Sequence, residues 1–385
     1  MRNFMLEQTK MLMPEIVHSE RRRIMGISKK MLFAILVSAL SGFLLNPQAV
    51  MATGVCSNCH VMHASQQGVS STPNDYLLNN NCLGCHSGTN STDGSAPAVP
   101  FIYTAGVSDL STSLAGGNFK FADDNDRYGH NPVELSGGVD ATLTSPPGWK
   151  TGFDANGQVG GTTPDWSANN LSCAGTYGCH GKHDATGVTG SHHLNATGAI
   201  TNPTTVATSY RFLYGIKGYE ADDYEYSPSA TTGAHNVYYG VARSGAESTA
   251  DTPTDTATMS YFCAECHGIF HSGASSNEGI ADVGDTFLTS PWIRHPVDIS
   301  MPTTGEYSGY SAYRPDVPVA SSDVSDGALT VTNAADRIVM CLSCHRAHAS
   351  PYPASLRWDP TTVVAGGGTS TVGCFACHTT KDDGS

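Results

Sequence analysis

What the chain lacks narrows it first. Charged residues fill only 14% of its 385 positions, and 20 Lys plus Arg stand against 34 Asp plus Glu, a net of −14. So few cations on an acidic chain argue against nucleic acid or an anionic bilayer as partner. Long apolar runs are missing. The stretch Met31 to Leu45 holds Ser38, Ser41 and Gly42 and falls short of the ~20 residues that span a bilayer. No cysteine stands outside a pair: all 12 fall into six pairs, each followed directly by histidine. Methionine after residue 52 is limited to Met62, Met259, Met301 and Met340, so Met/His ligation of iron is at most a minority. No C-x-x-C-K variant and no other catalytic constellation stands out.

What is present is a repeated pentapeptide. Cys56-Ser57-Asn58-Cys59-His60 is a C-x-x-C-H, the attachment signature of c-type haem. Two intervening residues let both sulfurs bond along one edge of a porphyrin, and the histidine then meets the iron as axial ligand. The unit recurs as Cys82/Cys85/His86, Cys263/Cys266/His267, Cys341/Cys344/His345 and Cys374/Cys377/His378. A sixth site, Cys173 to Cys179 and then His180, has five intervening residues. Zinc sites need two such pairs or spaced histidines to close a tetrahedron, and no histidine directly after the second cysteine. A redox dithiol expects one pair in a βαβ pattern. A disulfide is the alternative for Cys173/Cys179 alone. The parity of six His-terminated pairs favours a haem there too, giving six covalently bound haem c groups.

Residues 1–52 read as an export region. Lys29 and Lys30 precede the apolar run, and Val50-Met51-Ala52 offers a small-residue cleavage site after Ala52. The true start is expected at Met25 or Met31. Residues 53–385 then form a single hexahaem domain with roughly 55 residues per haem and no membrane span. Rich in Gly, Ser and Thr and modest in aliphatics, this domain is expected to be mostly irregular loop with short helices at the motifs and a few short strands. Stacked haems would supply much of its apolar interior. Ser209–Ile216 and Ala328–Thr332 read as strands, and the fourth motif lies in a β-like run. Asn333 is placed to cap a helix reaching His348. The acidic run Asp123-Asp124-Asn125-Asp126 lacks EF-hand spacing and reads as a solvated loop.

Six motif histidines take one side of each iron. Nine others remain after residue 52: His63, His130, His183, His192, His193, His235, His271, His295 and His348. His63 lies three residues beyond His60, on the same face of a helical turn. The two therefore cannot ligate opposite sides of one haem, and His63 must serve a different porphyrin. The expected second ligands are His63, His130, His235, His295, His348 and one of His192 and His193. His183 and His271, close behind their motifs, are the expected spares. Irons with two protein ligands have no open position, which favours electron transfer over catalysis. Three functions stay open: a polymeric conduit outside the cell, a monomeric periplasmic or surface carrier, and a multihaem reductase with one open iron.

The opening C-x-x-C-H-x-x-H, the run Cys344-His345-Arg346-Ala347-His348-Ala349-Ser350-Pro351-Tyr352-Pro353 and the closing Gly373-Cys374-Phe375-Ala376-Cys377-His378 resemble the OmcS-type family of filament-forming hexahaem c-type cytochromes. That resemblance implies an extracellular nanowire. Its stacked bis-histidine haems run continuously through the subunits and pass electrons to minerals, electrodes or partner cells, or receive them from upstream cytochromes. It also implies that the histidine after the first motif, here His63, ligates a haem of the adjacent subunit. Non-closing head-to-tail contacts of that kind build open filaments. The five-residue spacing at Cys173–Cys179 is a departure from the C-x-x-C-H pattern.

Overall fold

Among the described residues no helix or strand exceeds nine residues, and composition is the reason. The chain carries 41 glycines and 20 prolines, which interrupt helices and ladders alike. The computed structural model describes residues 82–90, 99–140, 142–143, 145–149, 170–183, 197–226, 228–242, 255–270, 295–365 and 371–381. The export region 1–52, the first motif (Cys56, Cys59, His60), His63, His192, His193 and His271 lie outside them.

Among the described residues there are four short α-helices: α1 Leu83–His86, α2 Lys120–Asp124, α3 Met259–His267 and α4 Cys341–Cys344. Between them lie β1 Ser172–Ala174, β2 Gly178–His180, β3 Gly198–Ile200, β4 Gly218–Glu220, β5 Val237–Tyr238, β6 Ile299–Ser300 and β7 Ile338–Val339. β1 and β2 pair in parallel, with Ser172 opposite Gly178. β3, β4 and β5 form an antiparallel sheet, and β6 pairs antiparallel with β7, Ile299 opposite Val339. The expected mixture of loop, short helix and short strand is what the chain forms.

Apolar side chains gather in separate small clusters. One joins Ile200, Tyr210, Leu213, Ile216, Met259, Ile338 and Met340; a second joins Met301, Tyr310, Tyr313, Val319 and Val339; a third joins Phe119, Phe121, Leu135 and Ala349. β7 explains how two of them meet. Successive strand residues point to opposite faces, so Ile338 enters the first cluster and Val339 the second. Burying a side chain of that size contributes about 1.5–3 kcal/mol, which makes this two-residue strand a hinge pin of the C-terminal half. Gly117, at φ +91°, lies so close to the third cluster that a Cβ there would overlap the Ala349 carbonyl oxygen. The Asn118 N–H donates to that same oxygen at 3.0 Å.

Several local expectations are corrected. Asn333 does cap, its side chain accepting the Ala335 N–H, but the turn it starts ends at Asp336. Ile338 and Val339 are β-branched and pair with β6 and with Ala320 instead of continuing a helix. The fourth motif is helical, because the Thr258 hydroxyl accepts the Tyr261 N–H at 3.1 Å and starts α3 ahead of it. Ser209–Ile216 contains the 3-10 turn Tyr210–Phe212 with left-handed residues, and Ala328–Thr332 forms no strand, its last two residues lying in a turn. Replacing Thr258 by Ala removes the α3 cap. It is expected to cost about 1 kcal/mol, read as a lower thermal midpoint by circular dichroism with covalent haem content unchanged.

Candidate haem sites

Each regular motif is one tight turn. The His86 N–H donates to the Cys82 carbonyl at 3.0 Å, His345 to Cys341 at 3.1 Å and His378 to Cys374 at 3.0 Å. In α3 the cysteines Cys263 and Cys266 sit three residues apart on nine residues of helix ending at His267. Such spacing puts both sulfurs on one face. The third site is built differently: Cys173 lies on β1, Cys179 and His180 on β2, and the loop of Gly175, Thr176 and Tyr177 joins the parallel pair. The longer spacing is thus a change from turn to strand pair. Among the described residues no cysteine is in a disulfide, Cys173 and Cys179 included, so the disulfide alternative is not realised.

The cysteines of successive motifs meet. The Cys82 and Cys173 thiols hydrogen-bond to each other, and Glu134 stands beside them. The Cys263 thiol lies beside Cys341 and near Cys179, and Cys344 lies near Cys374 and Cys377. Motifs two to six therefore follow one another in space as they do in sequence. Burial pushes the free Cys179 thiol up to about 11 and the free Cys344 thiol up to about 12.

Seven of the ten described imidazoles share one device. The Nδ1–H groups donate to backbone carbonyls: His86 to Pro100 (2.8 Å), His130 to Ala347 (2.8 Å), His180 to Arg211 (2.9 Å), His235 to Asn236 (2.9 Å), His267 to Pro147 (2.7 Å), His295 to Pro296 (2.8 Å) and His345 to Ala354 (2.7 Å). A carbonyl can only accept, so Nδ1 carries the proton and Nε2 keeps its lone pair. That is the tautomer and orientation a metal-binding histidine needs. Two of the acceptor carbonyls belong to non-glycine residues in left-handed conformation, Arg211 (φ 48°) and Ala354 (φ 56°), each followed by a second one, Phe212 (φ 60°) and Ser355 (φ 56°). The second carbonyl of each pair accepts the N–H that follows the motif histidine: Gly181 to Phe212 and Arg346 to Ser355, both 2.8 Å. Strain of this sort persists only where the surroundings enforce it. Here buried Glu220 holds Arg211 through its N–H and its guanidinium.

Imidazoles also face each other in pairs. Ring centroids are 6.1 Å apart for His130 and His267, 6.4 Å for His180 and His348, and 6.2 Å for His295 and His378. Two imidazoles on opposite sides of one metal, each with a bond of about 2.0 Å, stand roughly 6 Å apart by centroid. The residues present therefore fit an iron between each pair. His348 is three residues beyond His345 yet faces His180, as the face argument for an i, i+3 pair requires. Its ring stacks on Phe119 at 4.5 Å and fills the space beside Gly116, where a Cβ would lie 2.6 Å from Nδ1. Burial pushes His267 down to about 4, helped by His130, and His348 down to about 3, helped by His180 and His130. Both are neutral, ligand-ready imidazoles at pH 7.

Other predicted residues fall as follows. His235 is buried and stacks on Tyr313 at 4.0 Å. His183, expected as a spare, is buried with Nδ1 3.5 Å from the buried Glu265 carboxylate. Asp123 of the acidic run accepts from Tyr103, Ser136 and Gly137, so it works as a loop latch. The carbonyl acceptors and the carboxylates Glu265 and Glu306, the latter 3.4 Å from His378 Nδ1, were not anticipated. Backbone carbonyls have no sequence signature.

The family described as "Doubled CXXCH motif" matches residues 333–383. "C-type cytochrome OmcS" of Geobacter sulfurreducens is 28% identical over 88% of this chain and 87% of its own. Two solved structures from the same organism are also similar. "Outer Membrane Cytochrome S Filament" is 24% identical, TM-score 0.38, over 80% of this chain and 84% of that one. "Cryo-EM of the OmcS nanowires" is 23% identical, TM-score 0.40, over 79% and 83%. Replacing His130 by Ala is expected to convert one low-spin iron to a high-spin, carbon monoxide-binding one, measured by EPR and optical titration. An unchanged low-spin count removes His130 from the ligand set.

Proposed function

We propose that this OmcS-type c-type cytochrome carries six covalently bound haem c groups with two imidazoles on each iron, and that it works as an extracellular electron conduit assembled from many copies. The observation that carries the reading is the set of three imidazole pairs 6.1–6.4 Å apart, four of whose six rings are aimed by an Nδ1–H bond to a carbonyl. Bound haem supplies one-electron exchange at iron. The chain's own residues do the rest.

Cys82 and Cys85, Cys173 and Cys179, Cys263 and Cys266, Cys341 and Cys344, and Cys374 and Cys377 anchor five of the groups, with Cys56 and Cys59 holding the first. His60, His86, His180, His267, His345 and His378 are the motif ligands. His130 serves with His267, His348 with His180 and His295 with His378. His63, His235 and one of His192 and His193 supply the remaining irons. With two imidazoles per iron, no position is open to a substrate, so the protein is an electron carrier and not an enzyme. The meeting of successive motifs through their cysteines supports an unbroken path along the chain.

Export through residues 1–52 brings the protein outside the cell, and among the described residues no helix is long and apolar enough to cross a membrane. Copies join head to tail when His63 ligates an iron of the neighbour. The His348–His180 pair supports that role, since it displays the same i, i+3 spacing joining two different motifs. Electrons enter from upstream cytochromes and leave to extracellular acceptors. The His63→Ala protein is expected to keep its covalent haems by mass spectrometry and to lose filaments by electron microscopy. Filaments that persist in that variant would falsify the joint.

A further inference from the structure

The seven Nδ1–H groups described above donate to neutral carbonyls; His378 does not fit that pattern. Its Nδ1 lies 3.4 Å from Glu306 Oε2, and Lys381 Nζ approaches the same oxygen at 3.5 Å. This placement is built in. Glu306 sits in the turn Gly305–Tyr307, and its carbonyl accepts both the N–H and the hydroxyl of Thr379 at 2.7 Å. The Gly309 N–H in turn donates to the Thr379 hydroxyl at 3.1 Å, and the Tyr307 ring lies 5.1 Å from that of His378. The residue after the sixth motif is thus tied to the backbone of the residue whose carboxylate faces the motif's imidazole.

We propose that Glu306 is a positioning residue that acts through His378 to give the sixth iron a lower reduction potential than the irons held by His86, His180, His267 and His345. A carboxylate 3.4 Å from Nδ1 places negative charge beside this imidazole, where the other described motif histidines face a neutral carbonyl. That charge makes the ring a stronger donor through Nε2, which favours the oxidised metal. Lys381 tempers the effect by sharing the carboxylate. One end of the motif series thereby differs from the rest. The inference rests on His378 being an axial ligand, as the proposed function has it.

The test uses the full haem-loaded protein in three forms: wild type, Glu306→Gln and Lys381→Ala. Mass spectrometry and EPR first count covalent haems and low-spin irons; a sixth iron that is not low-spin in the wild type overturns the ligand reading itself. Redox titration then follows the individual haems. The Glu306→Gln protein is expected to shift one haem toward the reduced form roughly tenfold at a fixed applied potential, about 59 mV for a one-electron couple. The g-values of that haem alone should move with it. The Lys381→Ala protein should shift the same haem the opposite way. Six low-spin haems with potentials and g-values unchanged in Glu306→Gln overturn the proposal while leaving the ligand reading intact.

Discussion

The structure depends on a single recurring interaction, the bond from an imidazole Nδ1–H to a main-chain carbonyl. A histidine on a loop has two ring nitrogens and free rotation about two side-chain bonds, and ordering it costs entropy. One bond to a carbonyl resolves both ambiguities. It selects the tautomer and points Nε2 along a defined line. Because the acceptor is backbone, it moves only if the fold moves. Some acceptors come from far away in sequence, as in Pro147 for His267 or Ala347 for His130, so those bonds orient ligands and also knit distant loops together.

That dual role accounts for the unusual local backbone. The pairs Arg211–Phe212 and Ala354–Ser355 adopt positive φ without glycine, at a cost on the order of 1–3 kcal/mol per residue. Each pair returns two bonds, one to the motif histidine's ring and one to the next N–H. Glycine would relieve the strain but would leave the loop freer in the unfolded chain. The buried side chains around the first pair show what enforces it: the Arg211 guanidinium donates to the Ala221 carbonyl and the Asn236 amide oxygen.

Secondary structure is correspondingly subordinate. Small apolar clusters, a nine-residue helix and strands of two or three residues hold little stability by themselves. In the proposed assembly the apolar faces of bound haems would add to the buried interior, as a metal completes a small domain. Loops then become a suitable building material, because they wrap a rigid insert more closely than long helices do.

How much of this was legible beforehand differs by feature. The regular C-x-x-C-H turns followed directly from spacing, since covalent reach along a porphyrin edge and a one-turn helix impose the same five residues. The loop-rich architecture followed from glycine, proline and low aliphatic content. The strand expected at Ser209–Ile216 failed because β-forming side chains there serve a turn whose left-handed residues are enforced by Glu220, a contact no local pattern records. The helix expected from Asn333 to His348 failed because Ile338 found a better partner in Ala320. By itself, then, the sequence determined where the haem-attachment motifs stand, because bond lengths and ring geometry act over five residues. Only the tertiary structure decided which imidazoles face each other and which acceptor each one meets, because those choices are made by carbonyls and carboxylates up to 217 positions away.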